Sequence, residues 1–297
     1  MATATLNSSI VCFVGGSTPQ GEQFDDAWCS GDEGESWVRK SVHFPGGVRS
    51  NMGMSVSKDE AVLLGGAGDT ENFNDVWATQ DFESWTLRNS RAPWKGRGSM
   101  SSVSIGDRIL MIGGINYNNA TWEHFSDVWV SKDGGTSWVN TLTRAPWYAR
   151  GGHSVTALDN GLLVLTGGAF FLGEDHEEQL FGDVWVSSDF GTTWVMTNAE
   201  APWGPRGYHK VVANGTNVIL IGGFNGTYVN DVWMSPDYGR SWVLVDAIAP
   251  WSGRENLGVQ VVGDSARSVV LFGGTDWNVH TFNDAWEMSL DSEAKLL

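Results

Sequence analysis

A Gly-Gly pair behind an apolar run occurs six times in this 297-residue chain, beginning at Gly15, Gly65, Gly113, Gly167, Gly222 and Gly273. The spacings are 50, 48, 54, 55 and 51 residues. Each pair leads through a loop into Asp-Val-Trp or Asp-Ala-Trp, whose tryptophans are Trp28, Trp77, Trp129, Trp185, Trp233 and Trp286. A period of this size means one supersecondary unit used repeatedly, because a single unit cannot bury its own faces and must stack on its neighbours.

In five units a second tryptophan follows, at Trp37, Trp85, Trp138, Trp194 and Trp242, usually within Ser-x-Asp-x-Gly-x-x-Trp. That motif reads as a hairpin turn in which Asp bonds the turn amides and Gly takes positive φ. Four units then close with Ala-Pro-Trp, and five with an arginine: Arg49, Arg97, Arg150, Arg206 and Arg254. Between arginine and Gly-Gly there is room for two short alternating strands, and the tryptophan segments supply two more. Four antiparallel strands per unit, with almost no helical pattern, predict an all-β, six-bladed β-propeller filling residues 1–297 as one domain.

Gly-Gly, Asp-Val-Trp, the later Trp and the closing arginine resemble kelch repeats over essentially the whole chain. Ser131-Lys-Asp133-Gly-Gly135-Thr-Ser-Trp138 and its equivalents resemble Asp boxes. The nearest functional analogy, at the level of repeat pattern, is the six-bladed kelch-type epimerase of sialic acid, whose mouth carries Arg, His and acidic residues. Kelch propellers include both enzymes and pure binding modules, so the fold leaves function open.

Ala2–Gly16 aligns without a gap on Ser154–Gly168, making Ala2–Leu6 the innermost strand of blade one. After Ser289 an Asp box begins, but Glu293 and Leu296 stand at its Gly and Trp positions. Blade six is therefore expected to lack its outermost strand, leaving closure to packing between blades one and six. Cys12 and Cys29 fall on consecutive predicted strands and could be cross-strand neighbours; two buried free thiols are the commoner state, and the sequence leaves open whether they pair.

Lys plus Arg number 18 against 35 Asp plus Glu, a net charge of −17, which argues against nucleic-acid or anionic-membrane partners. No stretch has the length and apolarity of a membrane helix and no basic leader precedes an apolar core, so the chain reads as cytoplasmic, with secretion as the alternative.

Alternating strand direction places the arginine-bearing connections and the Gly-Gly to Asp loops on one face, and the Asp-box turns on the other. The first face is expected to hold the working mouth, since its loops in blades three and four are enlarged. His124, His176 and His280 lie in Gly-Gly to Asp loops of blades three, four and six, as do Trp122 and Trp277 in blades three and six, which the repeat does not require. His153 and His209 follow repeat arginines by three residues in adjacent blades and are the candidate acid–base pair. Tyr208 and Glu123 are further catalytic candidates. The five arginines form either an anion-binding ring or a lattice with Asp26, Asp75, Asp127, Asp183, Asp231 and Asp284, with two or three expected to stay free for a ligand.

No nucleotide loop, zinc-helix motif or nucleophile elbow is present. The Tyr–Cys copper arrangement of galactose-oxidase-like kelch enzymes has no support, and the Glu/Asp/His pattern of nitrile-specifier proteins is met by Asp276 and His280 but not by Phe272. No cofactor is expected, with a mononuclear metal at the mouth histidines left open. The leading expectation is an enzyme acting on a small anionic or carbohydrate-like molecule by acid–base chemistry, of epimerase, isomerase or lyase type. The rival readings are a binding module for an acidic peptide or protein and a metal-dependent kelch enzyme.

Overall fold

The computed structural model describes residues 1–7, 9–118, 121–172, 177–263, 268–276 and 280–289. Blade one contains β1 (Ala2–Leu6), β2 (Ile10–Ser17), β3 (Gln23–Ser30) and β4 (Val38–Ser41). Blade two contains β5 (Gly53–Ser57), β6 (Glu60–Ala67), β7 (Asn72–Thr79) and β8 (Thr86–Asn89). Blade three holds β9 (Ser101–Ile105), β10 (Arg108–Asn118), β11 (Thr121–Ser131) and β12 (Val139–Leu142). In blade four, β13 (Ser154–Ala157), β14 (Leu163–Thr166), β17 (Val184–Ser187) and β18 (Val195–Asn198) form the sheet, and β15 (Ala169–Leu172) with β16 (Glu177–Leu180) form a separate hairpin. Blade five has β19 (Lys210–Asn214), β20 (Asn217–Ile221), β21 (Val232–Ser235) and β22 (Val243–Asp246). Blade six has β23 (Gly258–Val262), β24 (Ser268–Phe272) and β25 (Ala285–Ser289).

Each sheet is antiparallel in chain order, and the innermost strands β1, β5, β9, β13, β19 and β23 contact one another in a closed circle. The six-bladed propeller follows from the period of the sequence. The enlarged loops of blades three and four are hairpins: β10 and β11 extend past the sheet, and β15 and β16 stand on their own. The outermost strand of blade six falls on residues 290–297, outside the described residues.

Apolar side chains between successive sheets make the core. Tryptophans divide by position: Trp94, Trp147, Trp203 and Trp251 of Ala-Pro-Trp and Trp138, Trp194 and Trp242 of the Ser-x-Asp-x-Gly-x-x-Trp turns are buried, whereas the Asp-Val/Ala-Trp indoles are half-buried. In that turn of blade three, Ser137 N–H donates to Asp133 Oδ1 at 2.8 Å and Trp138 Nε1 to the Gly135 carbonyl at 3.0 Å. Gly135 has φ +90°, and a Cβ there would meet Val76 of blade two at 2.7 Å. The turn thus lets one blade approach the next.

Blades one and six close by packing. Val11, Val262, Val270 and Phe272 form a shared cluster, and the Gln260 side chain bonds Thr3 and Thr5 at 2.8 Å each. The expectation of free thiols is overturned: Cys12 and Cys29 are direct cross-strand partners on β2 and β3 and are joined as a disulfide.

Candidate functional site

The five repeat arginines bind aspartates of the following blade. Arg49 pairs with Asp75, Arg97 with Asp127, Arg150 with Asp183, Arg206 with Asp231 and Arg254 with Asp284, each through both terminal nitrogens. The same guanidinium donates to the carbonyl of the first glycine of that blade's Gly-Gly pair, and the carboxylate also accepts the indole N–H two residues on, as Asp183 does from Trp185 at 2.7 Å. Four guanidinium groups lie over a phenylalanine ring, Arg97 on Phe125 at 3.6 Å for example. The arginine carbonyl, meanwhile, accepts an N–H from the preceding blade, Gly114 to Arg150 at 2.9 Å. Every arginine side chain is at most 1% exposed. The expectation that two or three would be free for a ligand does not hold, because the bidentate fork that would clasp an anion is spent on joining blades.

Two residues after each arginine the backbone turns left-handed, at Asn51, Ser99, Gly152, Tyr208 and Asn256, with φ between 53° and 61°. This exposes amides and carbonyls toward the axis, where Ser99 N–H donates to Asn51 O, Gly152 to Ser99, Tyr208 to Gly152 and Asn256 to Tyr208, at 2.7–3.0 Å. Five connections are laced into an arc around the aperture. Asn and Gly accept this conformation readily, while Tyr208 is a bulky residue held in it.

Below the arc is a cavity of about 40 Å³ lined by His153, His209, Tyr208 and Lys210, among others. The two histidines do border one space, as equivalent positions imply. Their rings, however, cover the Gly-Gly pairs of the preceding blades: His153 Cε1 would stand 2.9 Å from a Cβ on Gly113, and His209 Cε1 2.8 Å from one on Gly167. Met52 and Met100 cover Gly15 and Gly65 in the same manner. Burial lowers His153 to about 3 and His209 well below the usual range, so both imidazoles are neutral. His209 Nε2 lies 2.8 Å from the Thr166 hydroxyl.

Above the arc a cavity of about 410 Å³ forms the mouth. Tyr117 and Trp122 from blade three, Phe171 and Glu178 from blade four, and Tyr228 from blade five meet Tyr208 there. Trp122 lies between Tyr117 at 4.5 Å and Phe171 at 4.6 Å between ring centres. The Tyr208 hydroxyl is directed to the Glu178 carboxylate, and burial raises the Glu178 carboxyl above its ordinary range. Burial, and then the charges of Glu178 and Glu255, raise the Tyr208 phenol well above 10, keeping it protonated. Glu255 also lines the mouth, and no arginine or lysine does among the described residues.

The remaining candidates are dispersed. His124 accepts the Phe171 N–H on Nε2 at 3.0 Å and stacks on Phe170 at 4.2 Å, which fixes the two hairpins to each other; burial lowers it to about 4. Glu123 points outward and pairs with Lys95. His280 is exposed and bonds Asp276 at 2.8 Å. His176 and Trp277 lie outside the described residues. No group of three or more His, Cys, Asp or Glu able to hold a metal ion occurs among the described residues.

Sequence reasoning missed Glu178, Glu255 and Lys210. A signal existed for two of them. Glu255 follows Arg254 where the other units have Ser50, Gly98, Gly151 and Gly207, and Lys210 occupies a slot held elsewhere by Gly53, Ser101, Ser154 and Gly258. A large ionisable group where the repeat uses a small residue is not there for packing.

No protein-family model matches this chain, and no curated protein sequence matches it. Among solved structures it is similar to that of YjhT, with a TM-score of 0.76 and 16% identity over 99% of this chain and 95% of the other. At that identity the likeness is one of fold: both chains wind into the same propeller.

Proposed function

We propose that the mouth binds a small, neutral, carbohydrate-like molecule and acts on it by acid–base chemistry through Glu178 and Tyr208. The observation that carries this reading is the joining of an aromatic wall to a half-buried carboxyl–phenol pair in one cavity of about 410 Å³, within the range of small-molecule sites. Trp122, Phe171 and Tyr228 offer apolar faces to the C–H side of a ring, and Glu178 and Glu255 offer acceptors to its hydroxyls. An anionic ligand is disfavoured there, since the carboxylates repel it and the repeat arginines are engaged elsewhere. The same reasoning removes the motive for an acidic peptide partner.

A carboxyl raised above its ordinary range can take a proton from a substrate hydroxyl or an activated C–H, while a phenol held protonated donates a hydrogen bond to the oxygen that gains charge. Saturation-transfer NMR against a panel of neutral monosaccharides and disaccharides, read for binding and for anomeric or epimeric exchange, tests the idea. Glu178→Gln and Tyr208→Phe should each slow exchange by about 10²–10⁴-fold. Absence of binding across the panel, or full exchange in both variants, would defeat it.

A further inference from the structure

Five arginines fill five equivalent seats, and the sixth seat lies in blade one. In blade two the seat of Arg49 consists of Asp75, the Gly65 carbonyl, the Phe73 ring and the neighbouring Trp77. The corresponding residues of blade one are Asp26, Gly15, Phe24 and Trp28, and all four line a cavity of about 600 Å³ at the junction with blade six. Among the described residues no cation lies within ion-pair distance of Asp26, whose Oδ2 accepts the Trp28 indole N–H at 2.7 Å. Phe24 is 39% exposed, and among the described residues no guanidinium is seen over its ring as Arg49 lies over Phe73.

The rest of the cavity repeats the comparison. In blade three Trp138 meets Trp94 of Ala-Pro-Trp edge to face at 4.6 Å, and in blade four Trp194 meets Trp147 at 4.9 Å. Blade one's Trp37 has the same place but lines the cavity, with Phe13 and Phe272 against its other side at 5.2 and 5.0 Å. In the other blades, the segment that brings Trp and Arg first runs as the outermost strand of the preceding blade. Here the preceding blade is six, and the described part of it ends with β25.

We propose that this junction is a docking site for a peptide segment of a partner protein that carries Trp-x-x-Arg. The indole would fill the space beside Trp28 and Trp37, and the guanidinium would bind Asp26 on two arms. The acidic charge of the protein favours the approach of such a segment. The proposal is independent of the mouth and its chemistry.

The test uses the whole protein and a synthetic, amidated peptide with the sequence of residues 195–206, Val-Met-Thr-Asn-Ala-Glu-Ala-Pro-Trp-Gly-Pro-Arg, which carries the indole and the guanidinium in the spacing that one blade uses. Calorimetric titration should give saturable one-to-one binding, weakened at least about tenfold by Asp26→Asn, which retains an acceptor for Trp28. Peptides with Gln for the arginine or Ala for the tryptophan should lose a similar factor on the unaltered protein, which keeps the test decisive should Asp26→Asn fold poorly. Glu178→Gln should bind the peptide as the parent does. No saturable binding, or binding indifferent to the peptide's arginine, would overturn the proposal.

Discussion

Arg206 and Asp231 meet in a two-armed ion pair, 2.7 and 2.9 Å long, that joins the connection leaving blade four to the residue preceding β21 in blade five. The guanidinium is buried, and among the described residues Asp231 is its ion-pair partner. Removing one partner leaves a charge uncompensated, so Arg206→Met and Asp231→Asn should each cost about 3–5 kcal/mol, while the double replacement Arg206→Met/Asp231→Leu should recover part of the loss. Denaturant unfolding of the three variants checks this; additive losses would contradict it.

Acid should weaken the fold through its two packed histidines. His153 titrates near 3 in the native state and near 6.5 when unfolded, so the unfolded chain binds the extra proton between those values. Its contribution is complete above about pH 6.5 and is lost as pH falls toward 3, at up to about 1.4 kcal/mol per pH unit, and His209 acts in the same direction. His153→Met, which adopts the residue used at Met52 and Met100, should flatten the melting temperature between pH 7 and 4. An unchanged slope would show that the imidazole does not carry this dependence.

The two tryptophans of one seam should not be equal. Trp147 is 4% exposed and meets Trp194 and Trp185 edge on, while Trp185 is half-buried and bonds Asp183 at its rim. Trp147→Ala should cost about 3–5 kcal/mol and Trp185→Ala less. Calorimetric melting would reveal the order, and the reverse order would place the core on the wrong side of the Asp-Val-Trp strand.

The bond between Cys12 and Cys29 closes a loop with a sequence separation of 17 and should contribute about 3 kcal/mol by restricting the unfolded chain. Alkylation without reductant should label neither cysteine, and Cys12→Ala/Cys29→Ala should melt lower than the parent. Persistence of such a bond is a property of oxidising compartments.

Six blades, their strands and the face on which loops converge were legible in the sequence because repetition exposes backbone requirements: Gly65 recurs as a type since a Cβ there would meet the Phe73 carbonyl at 2.8 Å. Occupancy was harder to read. An arginine beside a mouth and an arginine holding Asp183 look alike until distances are known, and His153 reads as a proton carrier until its ring is seen to cover Gly113. The mouth itself was least legible, because Tyr117, Phe171 and Glu178 come from hairpins that obey no repeat, while attention to histidine and arginine passed over the odd Glu255.

The lacing of arginines from blade to blade also determines how the molecule would come apart. Each of five seams is fastened twice, by the carbonyl of an arginine to one blade and by its guanidinium to the next, whereas among the described residues the junction of blades one and six has packing and the Gln260 bonds. A wheel with one lightly fastened joint opens as a line does, from its ends inward. Breathing would start at β1 and β25 and travel away from them in both directions, so the slowest amides to exchange with solvent should belong to blades three and four, opposite that joint.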